Sequence, residues 1–77
     1  MIDAAQVKEH MEIVGSDGAH VGTVDECEGD RIKLTKKDPA ARGEHHYLML
    51  GDVDRVDGGR LCLKHSAAEA MQRWQQA

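Results

Sequence analysis

Phenylalanine is absent from this 77-residue chain, and tyrosine, tryptophan and proline occur once each. Without aromatic mass the core has to come from Ile, Val, Leu, Met and Ala, the larger of which contribute about 1.5–3 kcal/mol each on burial. A chain of this length buries about 60% of the surface its unfolded form exposes. Modest stability follows, and a second copy covering one face would add to it, so self-association is one expectation. No apolar run is long enough to span a membrane. The start, Met1-Ile2-Asp3-Ala4-Ala5, lacks the basic and apolar regions of a secretion signal, which points to the cytoplasm. In that compartment Cys27 and Cys62 are expected as reduced thiols. Positive charge is also short. A net charge of −4 argues against a general nucleic-acid binder, whose affinity comes from Lys and Arg neutralising phosphates.

What the chain does have is a repeated local grammar. Val21-Gly22-Thr23-Val24, Glu28-Gly29-Asp30 and Arg31-Ile32-Lys33-Leu34 are echoed by Val53 to Val56, Asp57-Gly58-Gly59 and Arg60-Leu61-Cys62-Leu63. Each set reads as strand, tight turn and strand, because glycine beside an acidic residue supplies the positive φ of a short hairpin. Val21 and Val24 break the period of two, so a bulge or sharp coil at Gly22 is expected to turn both inward. Ile32 and Leu34 then face the core, with Arg31, Lys33 and Thr35 outside. Tyr47-Leu48-Met49-Leu50 is a continuous apolar run, which predicts a strand covered on both faces. The expected cover is a C-terminal helix opened by Ser66 and Glu69, with Ala67, Ala70, Met71 and Trp74 as its apolar stripe. Asp3 and Gln6 predict a short helical turn reaching Val7 and His10. The whole, residues 1–77, is expected to be a single domain.

The order of these pieces resembles the PRC-barrel domains on Gly18, Val21-Gly22-Thr23-Val24, Gly29-Asp30-Arg31-Ile32-Lys33-Leu34, Tyr47-Leu48-Met49-Leu50 and Val53-Asp54-Arg55-Val56-Asp57. More closely, the chain looks like an uncharacterised bacterial family of stand-alone PRC-barrel-like proteins, a domain of unknown function. That resemblance implies a mostly β fold: a small antiparallel β-barrel with a short N-terminal helical turn and a C-terminal helix. It also implies a docking or assembly role without catalysis, since better-understood PRC-barrels serve larger machines in that way.

Candidate chemistry is sparse. Arg31, Lys33, Lys36, Lys37 and Arg42 form one basic region in an acidic protein, a candidate docking face for a protein partner. No aromatic interleaves with them in sequence, which counts against single-stranded nucleic acid. Met71 and Trp74 are a second, apolar candidate, either packed on the sheet or offered to a partner. His45 and His46 raise a metal or small-ligand alternative, but neighbours on a strand point to opposite faces and a tetrahedral site needs three or four converging ligands. An exposed pair at a loop-to-strand junction is the plainer expectation. Cys27 sits between Glu26 and Glu28, whose charges disfavour a thiolate, and Cys62 between Leu61 and Leu63 faces outward or lies beneath the helix. Asp52 and Asp54 have the spacing of a calcium loop without its later ligands and are expected to face solvent. No cofactor and no enzyme activity are read from these residues.

Overall fold

The computed structural model describes residues 4–41 and 43–76. Its strands are β1 (Glu12–Val14), β2 (His20–Glu28), β3 (Arg31–Leu34), β4 (His46–Met49), β5 (Val53–Asp57), β6 (Arg60–Leu63) and the two-residue β7 (Gln75–Gln76), with one helix, α1 (Ala67–Arg73). Both expected hairpins form. At the second, Gly58 and Gly59 take φ of 60° and 78°, the left-handed pair a type I′ turn demands, so the two-residue loop follows the strand twist.

The strands run in the order β5-β6-β1-β2-β3-β4-β7, so the mostly β expectation holds while the antiparallel barrel needs correction. The sheet is mixed, because β1 lies parallel to β6 and antiparallel to β2. It is also open in its pairing, since the order ends at β5 on one side and at β7 on the other. The long β2 joins the halves: residues 20–23 pair with β1, and residues 24–28 pair with β3.

Register shifts in β2 do what the broken alternation predicted. Ile13 faces Gly22 and Val14 faces His20, so Val21 is the extra residue, and both Val21 and Val24 are buried. Gly22 leaves room for Leu34. A Cβ there would stand 3.1 Å from Leu34 Cδ1, in the middle of the core. That core is Ile13, Val21, Val24, Ile32, Leu34, Leu48, Val53, Leu61 and Leu63, closed by Ala67 and Ala70 of α1. Ile32 and Leu34 point in and Arg31 and Lys33 out, as alternation requires.

The helix starts where the sequence placed it. Ser66 is the N-cap, its hydroxyl accepting from the Glu69 amide at 3.3 Å. The turn after β1 packs against this end so closely that a Cβ on Gly15 would lie 2.3 Å from the Ala67 nitrogen. Asp17 Oδ1 accepts from the amides of Ala19 and Ala67, each at 3.3 Å, and the Ser16 amide donates to the His65 carbonyl at 2.8 Å. His65 and Arg73 bring the helix to Asp52, at 3.9 and 3.7 Å. Asp52 is therefore half-buried under α1 in the 3-10 turn Leu50–Asp52, where a solvent-facing carboxylate was expected.

Two further expectations are corrected. The N-terminal helical turn is a single 3-10 turn, Ala4–Gln6, and the chain does not continue it: His10 adopts a φ of 71°. Asp3, its expected cap, lies outside the described residues. Strand β4 is not covered on both faces, for His46 and Leu48 are buried while Tyr47 is half-exposed and Met49 is exposed. Tyr47 lies under the Arg31 guanidinium, 4.3 Å from the ring centroid, so an arginine occupies the place expected of the helix.

Candidate functional site

The basic face lies on the outside of β3 and in the loop that follows. Arg31 and Lys33 sit opposite Met49 and Tyr47 in the β3–β4 ladder, so two cations, a phenol ring and a thioether share one surface. The aromatic companion that the sequence did not show is supplied by the neighbouring strand. Met49 is the one large apolar side chain among the described residues that stands exposed, at 38%. Lys33 is held loosely between Asp25 and Glu26, at 4.0 and 3.9 Å. Glu28 beside Glu26 raises the Glu26 carboxyl, so the acidic rim gives up charge more readily than isolated glutamates would. Lys36 and Lys37 are exposed and form no ion pair within 4.0 Å among the described residues. Arg42 falls outside those residues.

Beside this face is a polar cluster that sequence reasoning missed. His20, at the start of β2, directs Nδ1 to Glu12 Oε2 at 2.9 Å and Nε2 to Asp38 Oδ2 at 2.7 Å. Thr23 Oγ1 donates to the same Asp38 oxygen at 2.7 Å. Asp38 is a buried carboxylate at the end of a polar loop, drawn in by partners from β2. Burial lowers the His20 pKa, but the hydrogen bonds and charges of Glu12 and Asp38 together raise it above 6.5. Two carboxylates facing two ring nitrogens are fully satisfied only by the imidazolium, which donates to both. Asp38, Thr23, Thr35, Asp25, Lys37 and His10 border a cleft of about 400 Å³. The available signals were the Thr23 hydroxyl on an outer position and a lone acid in a basic loop, neither of which names a partner fifteen or eighteen residues away.

His46 begins β4 and His45 stands just before it, so the pair straddles the start of the strand. Neither is exposed, which corrects the expected exposed pair. His45 Nδ1 meets the Leu34 carbonyl at 3.0 Å. His46 Nε2 lies 3.4 Å from the Ala41 carbonyl, and its buried Nδ1 has no hydrogen-bond partner among the described residues. Burial lowers the His46 pKa most, His45 adds to that, and Glu44 opposes it. Among the described residues no three His, Cys, Asp or Glu side chains converge as a metal would need.

Of the two apolar candidates, Trp74 is packed inward. Trp74 lies over His46 with ring centroids 4.0 Å apart and joins the edge of the core, and Met71 is half-buried one helical turn earlier. Cys27 faces Ile32 in the ladder and packs against the core; burial, with Asp30 adding, pushes its thiol up. The opposing charge is therefore Asp30, not the flanking Glu26 and Glu28. Cys62 faces outward between Val14 and Arg55.

Residues 7–71 match the model of a family described as uncharacterized proteins conserved in bacteria, DUF2171. The chain belongs to that family. No curated protein and no solved structure matches it. No helix among the described residues is long and apolar enough to cross a membrane.

Proposed function

We propose that this DUF2171 protein is a non-catalytic docking module that meets an acidic protein partner through the outer face of β3 and β4. The observation that carries the reading is the Arg31–Tyr47 stack with exposed Met49 alongside. Arg, Tyr and Met are enriched where proteins meet, because each joins a large contact area to a group that can also make a directed contact. Charge supports an acidic partner: Arg31, Lys33, Lys36, Lys37 and Arg42 are half of the chain's ten cationic residues, in a protein of net charge −4. A non-catalytic role is supported by the side chains best placed for chemistry. Both nitrogens of His20 are committed to carboxylates, and the Cys27 thiol is raised, not lowered. The PRC-barrel resemblance adds a mode of action by analogy. Trp74 then acts from within, stacked on His46 as the packing that fixes the C-terminal end. The rival reading, a metal or small ligand held by His45 and His46, would need their nitrogens to leave the Leu34 and Ala41 carbonyls.

The test is capture from the source cell lysate with wild-type protein, with Arg31→Glu/Lys36→Glu/Lys37→Glu, and with Tyr47→Ala. A protein retained by the wild type and lost from both variants supports the reading. The same set retained by all three contradicts it, and stoichiometric metal in the purified protein would favour the histidine rival.

A further inference from the structure

We propose that His20 is a proton-operated latch: as an imidazolium bridging Glu12 and Asp38 it holds residues 35–41 on the β1–β2 ladder and so sets Lys36 and Lys37 for docking. The inference rests on the docking reading above. Its geometry is independent of that reading, because three hydrogen bonds of 2.7–2.9 Å meet on one histidine and one carboxylate. Asp38 is the only member of the cluster supplied by the loop; Glu12 comes from β1, and His20 and Thr23 come from β2. Loss of a proton leaves one imidazole nitrogen as a lone-pair acceptor against a carboxylate, so one of the two bridges turns from attraction to repulsion.

Charged groups surround the latch on several elements. Glu12 faces it from β1 and Asp38 from the loop, and Arg60 stands opposite Glu12 in the β1–β6 ladder. Asp25 of β2, Lys37 and His10 line the same cleft as Asp38. Glu12 and Asp38 both stabilise the imidazolium, in agreement with the raised His20 pKa. The consequence for the loop is directional. Below the His20 pKa it is fastened; as pH rises through that value the ring keeps its remaining proton on Nδ1 toward Glu12, Nε2 turns a lone pair to Asp38, and the loop, left with the Thr23 bond of these three, loosens at the Ala41 amide bond to the Asp38 carbonyl and the Lys37 amide bond to Thr35 Oγ1.

Amide hydrogen exchange of the full chain, followed by NMR across neutral pH and corrected for intrinsic base catalysis, tests the latch. Exchange at Lys37 and Ala41 is expected to accelerate about tenfold as His20 loses its proton, with the same midpoint as the His20 ring. In Asp38→Asn that pH step should vanish and the loop should exchange fast throughout. Should Asp38→Asn fail to fold, Glu12→Gln serves, with a lowered His20 midpoint and an earlier loop transition. Loop protection that ignores His20 titration overturns the latch. A fluorescein-labelled glutamate-rich peptide reads the docking step separately. Affinity that falls in step with loop release supports the proposal, and affinity indifferent to release overturns it. No binding at any pH, with the loop still opening on schedule, overturns the docking reading and reduces the latch to a structural clamp.

Discussion

His20 and His46 stand on strands of the same sheet and are opposite in every physical respect that matters. His20 is partly exposed and has a carboxylate on each nitrogen; His46 is buried under Trp74, with one long contact to a carbonyl and one nitrogen unpaired among the described residues. The first is held by charge and the second by packing. Their linkage to stability therefore differs in sign. The folded pKa of His20 lies above 6.5, so its bridge contributes stability that is complete below 6.5 and lost as pH rises through the folded value. The folded pKa of His46 lies below 6.5, so it is neutral when folded at pH 7, and stability is lost as pH falls from 6.5 toward the folded value. The comparison teaches that one residue type supplies a lock that opens on the alkaline side at central β2 and a weak point on the acid side at β4. Salt should loosen only the first, since surface pairs are screened while a buried stack is not.

The joint between the two regions is Gly15, which ends β1 and lies against the first turn of the helix that leads to Trp74. Gly15→Ala is expected to cost the most, about 3 kcal/mol, because its Cβ meets backbone atoms of Ser66 and Ala67 that cannot rotate away. Urea unfolding reads it, and a change under about 1 kcal/mol would mean that helix and turn move freely past each other. Trp74→Ala comes next, at about 2 kcal/mol, less than a fully buried tryptophan because the side chain is half-buried. It should also flatten the acid limb of the stability profile, as water reaches the His46 nitrogen. Asp38→Asn should cost about 1–2 kcal/mol at neutral pH and remove the alkaline limb while leaving the acid limb intact. A variant in which both limbs move together would break the comparison. The smallest effect is expected from Lys36→Glu, within about 0.5 kcal/mol on folding because the side chain is exposed, so any loss of partner binding in that variant reports on docking alone.

Much of the fold was legible, for reasons tied to particular residues. The hairpins were visible because Gly29 and Gly58-Gly59 leave the backbone few alternatives, and the bulge because Val21 and Val24 cannot both face inward without one. The Ser66 cap is a local bond and needs no tertiary knowledge. The parallel β1–β6 pairing was not legible, because a three-residue strand carries too little pattern to name its neighbour. Strand β4 misled because a tyrosine ring counts as apolar in a run, while its face can be covered by a guanidinium as well as by a helix. The place of His46 was recoverable in principle, since it lies two residues before buried Leu48 and shares its side of the strand. Asp38 was not. Burial of a carboxylate in a loop depends on a histidine eighteen positions earlier, and nothing local distinguishes it from a solvated turn residue.

One experiment separates the two regions directly: long-range proton–nitrogen NMR of the five histidine rings in the full chain, titrated from acid to alkaline pH. The account predicts that His20 titrates above 6.5 and passes through a form with both nitrogens protonated, while His46 titrates below 6.5 and stays a neutral Nε2–H tautomer at neutral pH. The two titrating together, or in reverse order, would contradict it.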